Sequence, residues 1–222
     1  MEINNKSYQF VICGTDTDIG KTIISAFFVR GLNASYWKPI QSGLEEETDS
    51  EKVARLSRIT QKKIIPEAYR FNKPVSPHWA SEMDDNIVEI TSLKIPIINA
   101  PLIVETAGGL MVPLTRNFLQ IDQIKTWQLP VILVCKSSLG TINHTLLSIE
   151  ALVKRNIRIL GIVMNGEKHL DNPRTLNEFS GLPIIAEFPL LENLSTYNLD
   201  ILWRDLDIKN KLNSILKSKR FK

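Results

Sequence analysis

Residues 8–22 have the sequence YQFVICGTDTDIGKT, and this stretch decides the fold. The apolar run at residues 8–13 predicts a buried strand, which stops at Gly14. A short polar loop leads to Gly20-Lys21-Thr22 and then to an apolar stretch with the length of a helix. A strand, a glycine-containing loop, a Lys-Thr pair and a helix together predict a cradle for the phosphates of a nucleotide.

Each part of this phosphate loop has a chemical reason. Loop N–H groups and the N-terminus of a helix turn partial positive charge toward a phosphate. Gly20 lets the backbone approach closely, Lys21 supplies a charge for the terminal phosphates, and Thr22 offers a hydroxyl to Mg²⁺. The spacing departs from G-x-x-x-x-G-K-[ST], because Thr15 stands where the first glycine belongs and Gly14 lies one residue earlier. The alternative is a Gly-Lys-Thr that arose by chance at a strand–helix turn.

The composition is that of one globular domain. The chain has 222 residues, of which 43% are hydrophobic and 23% charged. A domain of this length buries roughly 70% of the surface that its unfolded chain exposes. We therefore expect a single domain over residues 1–222, ending in a basic tail at 217–222. The net charge of +3 is concentrated in that tail and does not favour a nucleic-acid partner.

Cysteine usage and hydropathy bear on the location. Cys13 and Cys135 both lie in apolar runs, which favours buried, reduced thiols and a cytoplasmic location. No apolar stretch approaches the roughly 20 residues that a membrane span needs, so no membrane partner is expected.

Apolar, β-branched runs alternate along the chain with stretches of helical length. The runs are at residues 10–13, 102–105, 131–135, 159–164 and 184–188. The helical stretches are at residues 21–32, 49–60, 119–128, 141–155 and 173–180, with a final helix at 199–217 and a turn at 76–78. Strands that are apolar on both faces predict a parallel sheet with helices on both sides. The sequence therefore predicts a doubly wound α/β fold of the P-loop NTPase type, with ligands at the carboxyl ends of the strands.

Three charged residues near that edge are candidates for the site. Glu105 ends a strand and precedes glycines, so it is either an Mg²⁺ ligand or a turn cap. Asp49 is either a second carboxylate ligand or the N-cap of a helix. Lys38 lies before Pro39, which imposes extended backbone on it, and it either neutralises a second anion or is an exposed loop lysine.

Two asparagines are weaker candidates. Asn165 ends a strand and is either a partner of a purine edge or part of an Asn-Gly turn. Asn143 opens a predicted helix, where asparagine is a good N-cap.

Five segments, in this order, strongly resemble the ATP-dependent dethiobiotin synthetases. They are GTDTDIGKT at 14–22, KPIQSG at 38–43, SPH at 76–78, ETAGG at 105–109 and GTINH at 140–144. The resemblance implies a ligase of biotin biosynthesis that joins CO₂ or bicarbonate to 7,8-diaminononanoate with ATP and Mg²⁺ and closes a cyclic urea. It also implies a homodimer.

The resemblance implies a role for each matching residue. Lys21 and Lys38 would be catalytic, Thr22, Asp49 and Glu105 would hold Mg²⁺, and Thr17, Ser42 and Asn143 would contact the substrate. The nucleotide would lie against Asp18, Ile19, Gly20, Lys21, Thr22, Ile23, Asp49, Glu105, Thr106, Ala107, Gly108, Asn165, Pro189, Leu190 and Leu191. The chain departs from the family pattern at Asp18, where Glu is frequent, at Thr106, where Gly is commoner, and at Gly166, where some members have Asp. The alternative from another class is a nucleotide-driven switch of the ParA or MinD type.

Overall fold

A central parallel sheet and two small sheets organise the chain. The computed structural model describes residues 8–191 and 193–218. The strands are β1 Gln9–Gly14, β2 Ser35–Trp37, β3 Ile40–Ser42, β4 Ile64–Ile65, β5 Tyr69–Phe71, β6 Leu102–Glu105, β7 Pro113–Thr115, β8 Phe118–Leu119, β9 Val131–Lys136, β10 Ile159–Asn165 and β11 Ile184–Phe188. The α-helices are α1 Lys21–Leu32, α2 Asp49–Ser57, α3 Pro77–Met83, α4 Gln120–Trp127, α5 Thr141–Lys154, α6 Asn172–Ser180, α7 Thr196–Asp205 and α8 Ile208–Lys217.

The large sheet has seven strands in the order β11-β10-β9-β1-β6-β2-β4. All of its pairings are parallel, and β1 lies at the centre, where Val11 pairs with Val104 on one side and Val131 on the other. Alternate β1 residues enter two separate apolar clusters, because successive side chains point to opposite faces. Helices α1, α7 and α8 cover one face, and α4, α5 and α6 cover the other. The predicted doubly wound fold is confirmed.

The two small sheets lie outside this core. Strand β3 pairs with β5 and β7 pairs with β8, and a third apolar cluster that includes Ile40, Phe71 and Leu114 packs beneath them with α3. The predicted turn at 76–78 is wrong in part, because Ser76 is the N-cap of α3 and Pro77 is its first residue. Proline suits that position because the N–H it lacks would have no partner within the helix.

Two other helix predictions need correction. The predicted final helix is two helices, since Asp207 adopts a left-handed conformation with φ 49° between α7 and α8. Asn143 is not an N-cap, because Gly140 has that role and Asn143 is the third residue of α5. Of the predicted basic tail, residues 219–222 lie outside the described residues.

The two cysteines are buried and free, as expected. Among the helices that the structure describes, none combines the length and the apolar character needed to cross a membrane.

The helix that follows the phosphate loop is anchored by aromatic packing. The ring of Trp203, on α7, makes edge contacts with Phe27 and Phe28 of α1, at centroid distances of 5.2 and 5.9 Å. Gly31 lies directly beneath the same indole, so that a Cβ added there would be 2.2 Å from two of its ring carbons. This glycine permits the close approach of α7 to α1.

We expect Gly31→Ala to destabilise the protein even though alanine is the better helix former. The gain in helix propensity is about 1 kcal/mol, and overpacking costs typically about 1–3 kcal/mol, so the unfolding free energy should fall. Urea unfolding measures this change. In a Trp203→Leu background the same Gly31→Ala change should be neutral or stabilising, because the indole is gone. A single variant as stable as the parent would contradict the packing described.

Candidate active site

The loop between β1 and α1 closes around a buried lysine. Lys21 begins α1, and its Nζ donates to the backbone oxygen of Asp16 at 2.7 Å. Burial lowers the pKa of Lys21, and the nearby charge of Lys38 lowers it further. The same loop is tied to the end of β10, two strands away from β1 in the sheet, because Asn165 Nδ2 donates to the Ile19 oxygen at 2.9 Å. These two hydrogen bonds therefore help to fix the shape of the loop.

Three oxygens meet at the start of α1. Thr22 Oγ1 lies 2.6 Å from Asp49 Oδ1 and 2.9 Å from Glu105 Oε1. We call these three residues the oxygen cluster. A hydroxyl carries one hydrogen and can donate it to only one of the two carboxylates. The other close oxygen pair is favoured by a nearby cation, and the ammonium of Lys38 lies 3.1 Å from Glu105 Oε1. Neighbouring ligands around an octahedral Mg²⁺ are about 2.9 Å apart, given Mg–O distances of about 2.0–2.1 Å, so the spacing suits this ion.

A buried ammonium lies against the oxygen cluster. The side chain of Lys38 is 6% exposed, and its Nζ contacts Asp49 Oδ2 and, at 3.1 Å, Glu105 Oε1. Burial works to lower the pKa of Lys38, but the carboxylates of Glu105 and Asp49 outweigh it and raise this pKa. Burial likewise works to raise the pKa of Asp49, and Lys38 reverses that effect and lowers it. Lys38 is thus a charged, buried residue and not an exposed loop lysine.

Local backbone structure directs the two carboxylates to this point. Thr48 is the N-cap of α2 and forms a capping box with Glu51, so Asp49 is not the cap and its side chain is free to reach Thr22. Glu105 is the last residue of β6, fully buried, and it is not a turn cap. Neither carboxylate therefore has the capping role that the sequence left open.

Two residues of the site have no counterpart among the sequence predictions. Tyr36 is fully buried, and its hydroxyl donates to Glu105 Oε2 at 2.9 Å. Burial, and then the charge of Glu105, raises the pKa of Tyr36 well above its usual value. Gln41 accepts a hydrogen bond from the Asp49 N–H at 3.2 Å and donates to two backbone oxygens of its own loop. The i, i+2 spacing of Tyr36 and Lys38 was a usable signal, because such residues share a face of a strand, but Gln41 had none.

Other predicted residues lie near the phosphate loop. Thr17 borders Gly108, since a Cβ on that glycine would be 3.5 Å from Thr17 Oγ1. The Ala107 N–H donates to Gln120 on α4, and the Thr106 N–H donates to the oxygen of Ile12 on β1. These contacts hold the end of β6 against the loop.

The remaining predicted residues are more scattered. Asp18 has a left-handed backbone with φ 52°, and Ile23 lies in the first turn of α1. Pro189, Leu190 and Leu191 follow β11, next to the strand that ends at Asn165. Within the described ranges, the buried hydroxyl of Ser42 makes no hydrogen bond. Asn143 is exposed in the first turn of α5, away from the oxygen cluster.

Comparison with known proteins places the chain in a family. A family model described as an AAA domain matches residues 8–198. A ParA family ATPase from Chlorobium tepidum TLS superposes with a TM-score of 0.53 and 12% identity over 95% of this chain and 98% of that one. The MinC:MinD cell division complex of Aquifex aeolicus gives 0.51 and 13%, over 96% and 97%. At these identities the two structures show a common fold alone.

Curated relatives are much more similar in sequence. The ATP-dependent dethiobiotin synthetase BioD of Brucella anthropi is 49% identical over 83% of this chain and 87% of that protein. BioD of Rhodopseudomonas palustris strain TIE-1 is 47% identical over 85% and 89%, and BioD of strain BisA53 is 45% identical over 90% and 93%. The chain belongs to the family of ATP-dependent dethiobiotin synthetases.

Proposed function

We propose that this protein joins CO₂ to 7,8-diaminononanoate in a reaction driven by ATP and Mg²⁺, closing the cyclic urea of dethiobiotin. The observation that carries the proposal is the buried ammonium of Lys38 beside the oxygen cluster, next to the phosphate loop. Such a site offers separate positive charges for two anions that must react with each other. The 45–49% identical relatives that are ATP-dependent dethiobiotin synthetases support a biotin-pathway activity that uses ATP.

The proposed chemistry has three steps. One amine of the substrate attacks CO₂ and loses a proton, which gives a carbamate anion. A carbamate oxygen then attacks the γ-phosphorus of ATP and ADP leaves, which gives a mixed carbamic–phosphoric anhydride. The second amine attacks the carbonyl carbon of this anhydride and loses a proton, the C–O bond to phosphate breaks, inorganic phosphate leaves, and the ring closes.

The second step needs positive charge in two places. Lys21 and the N-terminus of α1 are suited to hold the ATP phosphates. Lys38 is suited to hold the carbamate against the terminal phosphate, because its ammonium is fixed at the same edge of the sheet. Phosphoryl transfer depends on such positioning and electrostatic stabilisation, and no side-chain nucleophile is required.

The residues present fit an Mg²⁺ ion. Within residues 8–191 and 193–218, no group of three or more His, Cys, Asp and Glu side chains is arranged to hold a metal. Thr22, Asp49 and Glu105 would supply one hydroxyl and two carboxylates. Mg²⁺ commonly takes this small number of protein ligands, because phosphates and water complete its coordination shell. When bound, the ion would neutralise charge on the phosphate oxygens.

We further propose that the protein acts as a homodimer in the cytoplasm. The exposure of Asn143, and the full exposure of Leu139 just before α5, support a partner chain at this surface, where the substrate tail would lie. Two free, buried thiols fit a reducing compartment. Ser42 and Thr17 would contact the substrate on the same protomer.

The test is a product assay with purified protein. With 7,8-diaminononanoate, bicarbonate, ATP and Mg²⁺, we expect dethiobiotin by mass spectrometry, and one phosphate released for each ring closed. Omission of the diamine should abolish phosphate release. Release that ignores the diamine, with no ureido product, would reject the proposal in favour of a nucleotide switch.

A further inference from the structure

The two carboxylate oxygens of Glu105 have different partners. Oε1 faces the oxygen cluster, where it meets Thr22 Oγ1 at 2.9 Å and Lys38 Nζ at 3.1 Å. Oε2 instead accepts a hydrogen bond from the hydroxyl of Tyr36 at 2.9 Å. Both Tyr36 and Glu105 are fully buried, so water does not compete for this bond.

We propose that Tyr36 is a positioning residue that keeps Glu105 a one-oxygen ligand and thereby makes the metal site select Mg²⁺ over Ca²⁺. The inference rests on the proposed function, because it concerns the Mg²⁺ site described there. Tyr36 touches neither nucleotide nor substrate in this account. It acts only through the carboxylate that it holds.

The physical reason lies in the different coordination of the two ions. Mg²⁺ requires near-octahedral geometry with ligands at about 2.0–2.1 Å, which one oxygen of a carboxylate satisfies. Ca²⁺ takes six to eight oxygens at about 2.3–2.6 Å and readily accepts both oxygens of a carboxylate. With Oε2 bonded to Tyr36, Glu105 cannot offer its second oxygen without breaking a buried hydrogen bond.

Removal of the Tyr36 hydroxyl should reverse this preference. In Tyr36→Phe, Oε2 loses its donor, and a buried acceptor without a partner is costly. The carboxylate would recover a partner by turning both oxygens toward the metal. Loss of a group that orients a metal ligand typically lowers metal affinity by about 10–100-fold, and we expect that loss for Mg²⁺ but not for Ca²⁺.

The experiment measures metal binding by the protein with ADP bound. Electron paramagnetic resonance counts free Mn²⁺, and Mg²⁺ or Ca²⁺ is added to displace the bound Mn²⁺. Each titration gives a dissociation constant for the displacing ion. The constant for Mg²⁺ divided by that for Ca²⁺ should rise about tenfold in Tyr36→Phe. The matched control is Tyr8→Phe, which removes a phenol hydroxyl bonded to Asn213 near the opposite end of β1, and it should leave the ratio unchanged.

An unchanged ratio in a folded Tyr36→Phe protein would overturn the inference alone. Failure of the parent protein to bind Mn²⁺ with ADP would overturn both this inference and the proposed function. If circular dichroism finds Tyr36→Phe unfolded, 3-fluorotyrosine placed at position 36 takes over the test. The fluorinated side chain keeps the hydroxyl and makes it a stronger hydrogen-bond donor, so the ratio of the Mg²⁺ to the Ca²⁺ dissociation constant should fall. A ratio that stays the same or rises would overturn the inference.

Discussion

Lys38→Gln should lower kcat for dethiobiotin formation by about 10²–10³-fold, the usual effect of losing one group that stabilises a transition-state anion. The amide of glutamine is neutral, so the carbamate and the terminal phosphate would meet with less positive charge between them. Steady-state kinetics with all reactants saturating measure the loss. Lys94→Gln is the control, because Lys94 is exposed and forms no ion pair within the described residues, and it should leave kcat unchanged.

The same substitution should also affect stability. Without Lys38, the carboxylates of Asp49 and Glu105 remain close together around Thr22 and lose the ammonium that is paired with both of them. Removing one partner of a buried ion pair costs on the order of 3 kcal/mol, and the 28% exposure of the Asp49 side chain reduces that figure. Added Mg²⁺ should restore more stability to Lys38→Gln than to the parent, because the ion takes the place of the ammonium.

Two results would contradict this account. Near-normal turnover of Lys38→Gln would remove Lys38 from the mechanism. An equal response of both proteins to Mg²⁺ in thermal melts without nucleotide would mean that the ammonium and the metal do not share the oxygen cluster.

Gly20→Ala should lower the affinity for ATP by about 100-fold. Gly20 has φ 92°, a left-handed conformation that costs an L-residue about 1–2 kcal/mol. An added Cβ would also lie 2.1 Å from Asn165 Nδ2, which breaks the bond from Asn165 to Ile19. These costs together amount to about 2.8 kcal/mol, which corresponds to a factor of about 100 in affinity. The full factor is expected because the phosphate loop of the variant relaxes without ATP, and binding must restore its shape.

A second glycine separates the effect of backbone strain from the effect of the contact with Asn165. Gly140 is the N-cap of α5 with φ 91°, close to the φ of Gly20, but among the described residues other than its chain neighbours no atom lies within 4 Å of its added Cβ. Gly140→Ala should therefore lower the unfolding free energy through strain alone and leave ATP affinity unchanged. Isothermal titration with ATP measures affinity, and urea unfolding measures stability. Equal effects of both substitutions on ATP affinity would reject the contact with Asn165 as the cause.

The strands and helices that the sequence predicted well are those whose signal is local and strong. Strands β6 and β11 and helix α1 have the predicted bounds, because a strand buried on both faces is a continuous apolar run. Strands β3, β4 and β5 have two or three residues each, too few for any periodicity, and they form because neighbours pair with them. The break between α7 and α8 at Asp207 was not predicted, because the spacing of the leucines over residues 199–217 fits one long helix as well as two.

The candidate site divides in the same way. The phosphate loop was readable because its residues are consecutive, and Lys38, Asp49 and Glu105 because each follows or begins a strong element. Tyr36 was missed because its role is a hydrogen bond to a residue 69 positions later. A hydrogen bond between residues so far apart in the chain depends on which strands become neighbours in the sheet. The spacing of residues within one strand does not show this.

The central position of β1 has a consequence for synthesis on the ribosome. The first strand that the structure describes has both of its neighbours far downstream, β6 at Leu102–Glu105 and β9 at Val131–Lys136. At a translation rate of roughly 5–20 residues per second, the nascent chain waits on the order of ten seconds between making β1 and making β9. Until β6 has been made, neither of the strands that pair with β1 exists, and its apolar strand is exposed to chaperones and to other emerging chains.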